Sequence, residues 1–176
     1  MLTILLVGCS NEKKIEIEQG YNVETDMAHG LVILSAGVLK DKLTKHGYYS
    51  LFQVGSETDK WAHSIQIDYA FWDNDFENDY NNSLQIKKLP VGKYTIRKWR
   101  RIFGGSMQRS PVPFNIPFEV KAGTITYLGS VNLHVYDKNW EVVIKDESER
   151  DLNFVKKNYP FIDVNKVKVS IVKHKK

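Results

Sequence analysis

From Leu84 to Val131 apolar side chains recur at every second position in one short segment after another, and a period of two constrains such a chain to β-strands. Leu84 and Ile86 alternate with Gln85 and Lys87, and Tyr94 and Ile96 alternate with Thr95 and Arg97. Phe114, Ile116, Phe118 and Val120 form a third set, with Pro117 on the outward side. A proline cannot donate to a ladder, so that segment is expected at an edge or at a bulge. Leu89-Pro90-Val91-Gly92 has proline second and glycine fourth, as in a type I turn. Lys121-Ala122-Gly123 suits a three-residue hairpin loop with a left-handed glycine. The two turns predict three consecutive strands in an antiparallel framework.

The same pattern extends on both sides. Leu31 to Leu34 is a continuous apolar run between Gly30 and Gly37, expected as the first core strand and buried on both faces. Val38 to Gly47 fits a helical turn or a loop equally. Tyr48 to Gly55 is a strand by composition, and Ile65, Ile67, Tyr69 and Phe71 share one face. Ile125, Tyr127, Val131, Leu133 and Val135 keep one parity over an unusually long run. Gly129 in its middle predicts a bulge or bend at which the strand passes from one sheet to the other. Trp140, Val142 and Ile144 make a further strand. Ser148-Glu149-Arg150-Asp151 then resembles a capping box, with Leu152, Val155 and Tyr159 at helical spacing and Pro160 as the stop. Val167, Val169 and Ile171 alternate again as a last strand or an extended end.

A chain of 176 residues holds one domain with a sizeable core. With 42% hydrophobic and 26% charged residues, neither wholesale disorder nor a polytopic membrane protein is expected. Seven or more short strands separated by turns give an all-β fold: a two-layer antiparallel β-sandwich, immunoglobulin-like or transthyretin-like, with one short C-terminal helix. A closed barrel is the alternative.

The N-terminus adds a location. Leu6-Val7-Gly8-Cys9-Ser10 resembles the lipobox of a bacterial lipoprotein, with an aliphatic residue three before the cysteine and a small one just before it. The resemblance implies that Cys9 is lipidated and that residues 1–8 are a partial signal peptide, 9–22 the lipidated cysteine and tether, and 23–176 the β-sandwich. Ser10 resembles the outer-membrane sorting pattern. The segment departs from a full signal peptide in its short apolar run and in having no basic residue ahead of Leu2. An N-terminal strand with a buried cysteine is the other reading. Further along, Leu89-Pro90-Val91-Gly92-Lys93-Tyr94, Phe118-Glu119-Val120-Lys121-Ala122-Gly123 and Tyr127-Leu128-Gly129 resemble a pattern of small bacterial lipoproteins of uncharacterised function. That resemblance covers about a quarter of the chain and implies a lipobox followed by a β-sandwich. Its residues are turns and core, so no activity comes with it.

Lys87 to Pro113 contains eight basic residues and no Asp or Glu. Arg97, Trp99, Arg100, Arg101 and Arg109 are the candidate contact surface, with Trp99 expected on the polar face as a stacking platform. Its expected partner is acidic: an envelope protein, a lipid headgroup or a polysaccharide. Nucleic acid is not expected. Asp73, Asp75, Glu77 and Asp79 alternate as calcium ligands do, but Asn78 and Leu84 stand where an EF-hand needs glycine and glutamate. They read as a solvated loop, and no metal or cofactor is expected. His29, His46, His63, His134 and His174 form no ligand pair, and His134 is expected to be solvated. No nucleophile elbow or phosphate loop is present. The reading is a non-catalytic binding or structural lipoprotein of the bacterial outer membrane, facing the periplasm or exterior. An enzyme acting on envelope polymers is the alternative.

Overall fold

The computed structural model describes residues 17, 20–39, 49–56, 63–68, 75–76, 78–103, 106–110, 114–136 and 139–174. The Leu2–Cys9 segment, most of the tether, residues 40–47, and Tyr69 and Phe71 lie outside them. The strands are β1 (His29–Leu39), β2 (Tyr49–Ser56), β3 (His63–Asp68), β4 (Tyr80–Pro90), β5 (Gly92–Phe103), β6 (Ser106–Arg109), β7 (Ile116–Val120), β8 (Ile125–Tyr136), β9 (Asn139–Lys145) and β10 (Val167–Val169). One helix, α1 (Ser148–Asn158), lies between β9 and β10. The first sheet has the order β10-β8-β1-β4 with β9 also on β8; the second has β3-β2-β5-β6 with β7 also on β5. This is the expected sandwich, with a single α-helix among the described residues. Its first sheet is mixed, however, because β1 and β10 both run parallel to β8.

Two cores explain the apolar pattern. Between the sheets, Val32, Leu34, Ala36 and Val38 of β1 meet Phe52, Val54, Tyr94, Ile96 and Ile116 of the second sheet. On the other side of the first sheet, Leu31, Ile33, Leu84, Ile86 and Tyr127 lie under Val155, Leu152 and Phe154 of α1. Neither face of β1 meets water, which is why its run is continuous and not alternating. Ile17 and Tyr21 pack on the second core, so the end of the segment read as a tether belongs to the fold.

Both short turns behave differently from hairpins. Leu89 to Gly92 joins β4 of the first sheet to β5 of the second, and Lys121 to Thr124 joins β7 of the second to β8 of the first. Leu84 and Ile86 face the helix, whereas Tyr94 and Ile96 face the sandwich interior. Gln85 and Lys87, expected outside, are therefore turned inward and buried beside Leu89. Alternation locates a strand and its two faces but does not say which neighbour pairs with it. Gly123 does take the left-handed conformation, with φ +66°, and its N–H donates to His29 O at 3.1 Å.

The bulge expected at Gly129 is present, with φ +107° and a register step between Ile33/Tyr127 and Ser35/Ser130. The strand does not change sheets there. Its side chains change faces instead: Tyr127 lies under the helix, and Val131 and Leu133 lie between the sheets. The helix also starts differently from the capping box. Glu147 is the N-cap without a side-chain hydrogen bond, and Asp146 Oδ1 accepts from Ser148 N at 3.0 Å. β7 is an edge strand with Pro117 exposed, as expected.

Candidate functional site

The outer face of the second sheet carries the basic stretch. Along β5, Tyr94 and Ile96 point inward, and simple alternation would send Trp99 outward with Arg97. A bulge intervenes: Gln53 pairs with Lys98 but Val54 pairs with Ile96, leaving Arg97 as the extra residue. Arg97 and Lys98 therefore both stand on the outer side, and Trp99 turns inward. Trp99 is 4% exposed and lies in the core, edge-on to Trp140 at 6.1 Å. It is a packing residue and no stacking platform, which corrects its place in the contact surface.

Arg100 is directly opposite Arg109 on β6, so two guanidinium side chains share one face at neighbouring positions. Like charges in that arrangement repel. Arg109 is exposed, while the Nε of half-buried Arg100 is sealed from solvent with no hydrogen-bond partner. Arg101 pairs with Gln108 on the same strands, and its side chain is outside the described set. Further along the face, Arg97, Lys93 and Thr95 border a shallow groove with Asn115, Pro117 and Glu119. Lys87 and Lys88 are not part of this surface. Lys87 is buried, and Lys88 Nζ sits 3.3 Å from Asp26 and over the ring of Tyr21.

Asp26 holds the chain entering β1. Its carboxylate accepts from Tyr21 Oη at 2.9 Å and from the backbone N–H of Ala28 and of His29 at 3.0 Å each, and it contacts His29 Nδ1 at 3.0 Å. The His29 contact, with help from Tyr21, Ala28 and Lys88, keeps the carboxyl well below its ordinary value of 3.8. Burial, together with Asp26, pushes the Tyr21 hydroxyl up to about 12. Because the folded Asp26 holds its proton less tightly than the unfolded one, its contribution is complete above about pH 4 and is lost as pH falls below that. Acid titration of unfolding should therefore show a shallower loss of stability below pH 4 in Asp26→Asn than in the wild type. Parallel curves would contradict the role given to Asp26.

The first sheet has a polar outer half that the sequence pattern conceals. Beyond the part that α1 covers, Gly37 lies between Asn82 and Asn132, and Ser35 lies beside Ser130. Each of these four side chains is at most 1% exposed. Asn132 Nδ2 donates to Ser130 Oγ at 3.0 Å, while its Oδ1 has no hydrogen-bond partner. Over this floor opens a cleft of about 520 Å³, walled by residues of the Asp75–Tyr80 loop on one side and of Lys145–Arg150 on the other. The acidic loop read as solvated is docked: Asp75 Oδ2 accepts from Leu84 N at 2.8 Å. Among the described residues no group of His, Cys, Asp or Glu is placed to hold a metal ion.

At one end of the cleft a hydrogen-bonded chain runs through His134, whose Nε2 is 2.9 Å from Tyr80 Oη and whose Nδ1 is 3.1 Å from Glu141. His134 was expected to be solvated, yet its side chain is only 13% exposed. The Gly129 bulge explains the difference, because it sets Ser130, Asn132 and His134 on the covered side of the sheet. At the other end, fully buried Asp151 accepts from Tyr127 Oη at 2.7 Å and from Arg150 Nη2 at 2.7 Å. Burial, reinforced by Asp151, raises the Tyr127 hydroxyl far above its ordinary range. Arg150 also donates to Ser35 Oγ at 3.1 Å and stacks on Phe76.

No family profile matches the chain, and no curated protein matches it. Among solved structures it is similar to a "putative cell adhesion protein" of Bacteroides ovatus ATCC 8483, with a TM-score of 0.32 and 6% identity over 68% of this chain and 44% of that one. A second similar chain carries the same description, from Bacteroides fragilis NCTC 9343, with a TM-score of 0.32 and 8% identity over 69% of this chain and 45% of that one. The chain thus spans less than half the length of either. Similarity at this level identifies no family for it. No described helix is long and apolar enough to cross a membrane.

Proposed function

We propose that this protein is an envelope-anchored, non-catalytic binding module. In this reading a lipid on Cys9 tethers it to the bacterial outer membrane, and the outer face of the second sheet holds an acidic partner. The observation that carries the contact surface is the Arg100–Arg109 pair. Two opposed guanidinium groups, one with a sealed and unpartnered Nε, are stabilised by an anionic oxygen placed between them. Arg97 and Lys98, brought to one side by the bulge, extend the same positive field. Carboxylates of an acidic envelope protein, phosphates of lipid headgroups and acid groups of a polysaccharide all supply that chemistry.

The test is binding to anionic vesicles and to a soluble acidic polysaccharide, comparing the wild type with the triple variant Arg97→Gln, Arg100→Gln, Arg109→Gln. Binding by the wild type should weaken as salt rises, and the variant should bind about tenfold or more weakly at physiological ionic strength. Thermal stability should hold or rise slightly, since the Arg100–Arg109 repulsion is removed. Equal binding by both proteins would remove the proposal.

A second reading, an enzyme acting on envelope polymers, is favoured by one observation, the Glu141–His134–Tyr80 chain at the edge of the cleft. Such a chain can orient an imidazole for proton transfer. Turnover of an envelope polymer that disappears in His134→Gln would establish it over the binding module.

A further inference from the structure

We infer that the free edge of β9 is an interaction surface for a second copy of this chain, the two β9 strands pairing antiparallel about a two-fold axis at Val143. The inference stands apart from the reading given to the basic face of the second sheet.

The open edge is the first argument. Tyr136 pairs with Asn139 across a two-residue loop, and hydrogen-bonded pairs then recur at His134/Glu141, Asn132/Val143 and Ser130/Lys145. Trp140, Val142 and Ile144 therefore turn their N–H and C=O groups away from β8, and among the described residues no hydrogen bond reaches that row. The chain after β10 stays on β8, where Ser170 N and Val172 N donate to Tyr127 O and Leu128 O. Other edges of the sandwich are blunted, as exposed strands in folded proteins commonly are. β6 and β10 have four and three residues, and β7 carries Pro117. On β4, Asp75 N donates to Asn82 O and Asp75 Oδ2 accepts from Leu84 N. β9 is Asn139-Trp140-Glu141-Val142-Val143-Ile144-Lys145, with neither a proline nor a bulge.

Self-complementarity is the second argument, and it selects a second copy over an unrelated strand. Centring the pair on Val143 sets Val142 opposite the partner's Ile144. Both are outward-turned residues, so their backbones exchange hydrogen bonds. The same register sets Glu141 opposite the partner's Lys145, and by symmetry Lys145 opposite the partner's Glu141. Opposite charges thus face each other at both ends, and Val143 meets its own copy on the axis. The side chains are placed for this: Glu141 and Lys145 are exposed and Val143 is half-buried on one face. Glu141 touches His134 through Oε1 and is still 58% exposed. On the other face Val142 and Ile144 are partly buried against the core between the sheets, and pairing extends that core toward the partner's.

Sedimentation velocity on the full chain, under reducing conditions so that Cys9 forms no intermolecular disulfide, reads the association from about 1 µM to about 0.5 mM. A reversible monomer–dimer equilibrium is expected, with a dissociation constant on the order of 10–100 µM, as suits an interface below the standard size. Val143→Lys sets like charges on the axis, and Lys145→Glu sets carboxylates opposite each other. Each should weaken the dimer about tenfold or more while the circular dichroism melt is kept. Glu141→Lys should do the same. An equimolar mixture of Glu141→Lys with Lys145→Glu should restore association, because the first offers lysine at both positions and the second glutamate. A merely structural role for either side chain gives no such recovery. Should Glu141→Lys fail to fold on losing the His134 contact, Val143→Lys and Lys145→Glu decide the matter. A wild type that stays monomeric throughout, a dimer unchanged in Val143→Lys and Lys145→Glu, or folded charge variants whose mixture stays monomeric would each overturn the assignment.

Discussion

Asp151→Ala should lower the free energy of unfolding by about 2–4 kcal/mol, because it strands the buried Tyr127 hydroxyl and removes a charge-assisted contact to half-buried Arg150. The Asp151 carboxylate is inaccessible to solvent and takes hydrogen bonds from Tyr127 Oη at 2.7 Å and from Arg150 Nε at 2.8 Å. Alanine would leave the buried phenol without an acceptor and the guanidinium without its closest counter-charge. The damage would spread, because Arg150 links α1 to Ser35 of β1 and covers Phe76. Asp151→Asn separates the two contributions: an amide oxygen still accepts from Tyr127, so a smaller loss of about 1–3 kcal/mol is expected. Urea unfolding followed by far-UV circular dichroism measures both. An Asp151→Ala midpoint equal to that of the wild type would show that α1 is not held to the sheet by this carboxylate.

Gly30→Ala should cost about 2–3 kcal/mol or more by overpacking, although glycine to alanine within a strand is ordinarily favourable. A methyl group at Gly30 would run into the backbone carbonyl of Lys121 and lie 3.0 Å from Val120 Cγ1 and 3.2 Å from Thr124 O. Little of this can move. Leu31 N donates to Thr124 O at 2.9 Å and Gly123 N to His29 O at 3.1 Å, so the connection between the sheets is pinned against β1 at this point. Gly92→Ala supplies the contrast: its nearest neighbour is Tyr94 Cε2 at 3.6 Å, an ordinary contact, and a change within about 1 kcal/mol is expected. Similar melting temperatures for the two variants would contradict the close approach at Gly30.

The contrast between those glycines also shows what the sequence could convey. Most strand segments are legible from an apolar face of period two, β1 from its continuous run and β2 from its composition, whereas β6, Ser106–Arg109, carries no such pattern; α1 is legible because Leu152, Val155 and Tyr159 keep helical spacing. Pairing was not legible. The residues at Leu89–Gly92 and Lys121–Thr124 have hairpin chemistry, yet both segments lead from one sheet to the other. The signal that existed was in Gln85 and Lys87: a strand that buries both faces can carry polar residues inside, so Leu84 and Ile86 need not share a face with Tyr94 and Ile96.

Two bulges account for most of what was missed at the candidate sites. A single extra residue at Arg97 shifts the alternation, which puts Trp99 in the core and leaves Arg97 and Arg100 on the outer side. No turn residue marks that bulge. The second, at Gly129, was marked by its glycine, and the side chains that follow it form the polar floor. Asp151 looked like the end of a capping box, and its partner Tyr127 is 24 residues away. Such a contact follows from the packing of α1 on β8 and from no local spacing.

The proposed role depends first on where the protein resides, which the proposal sets by a lipid on Cys9. The measurement is metabolic labelling with an alkyne-bearing fatty acid in cells that make the protein from its own locus, beside Cys9→Ala, followed by membrane fractionation. Label on the wild type that is absent from Cys9→Ala, with the wild type in the membrane fraction, is the expected result, and partners for the basic face would then be sought in the envelope. An unlabelled protein in the soluble fraction would contradict the anchored module.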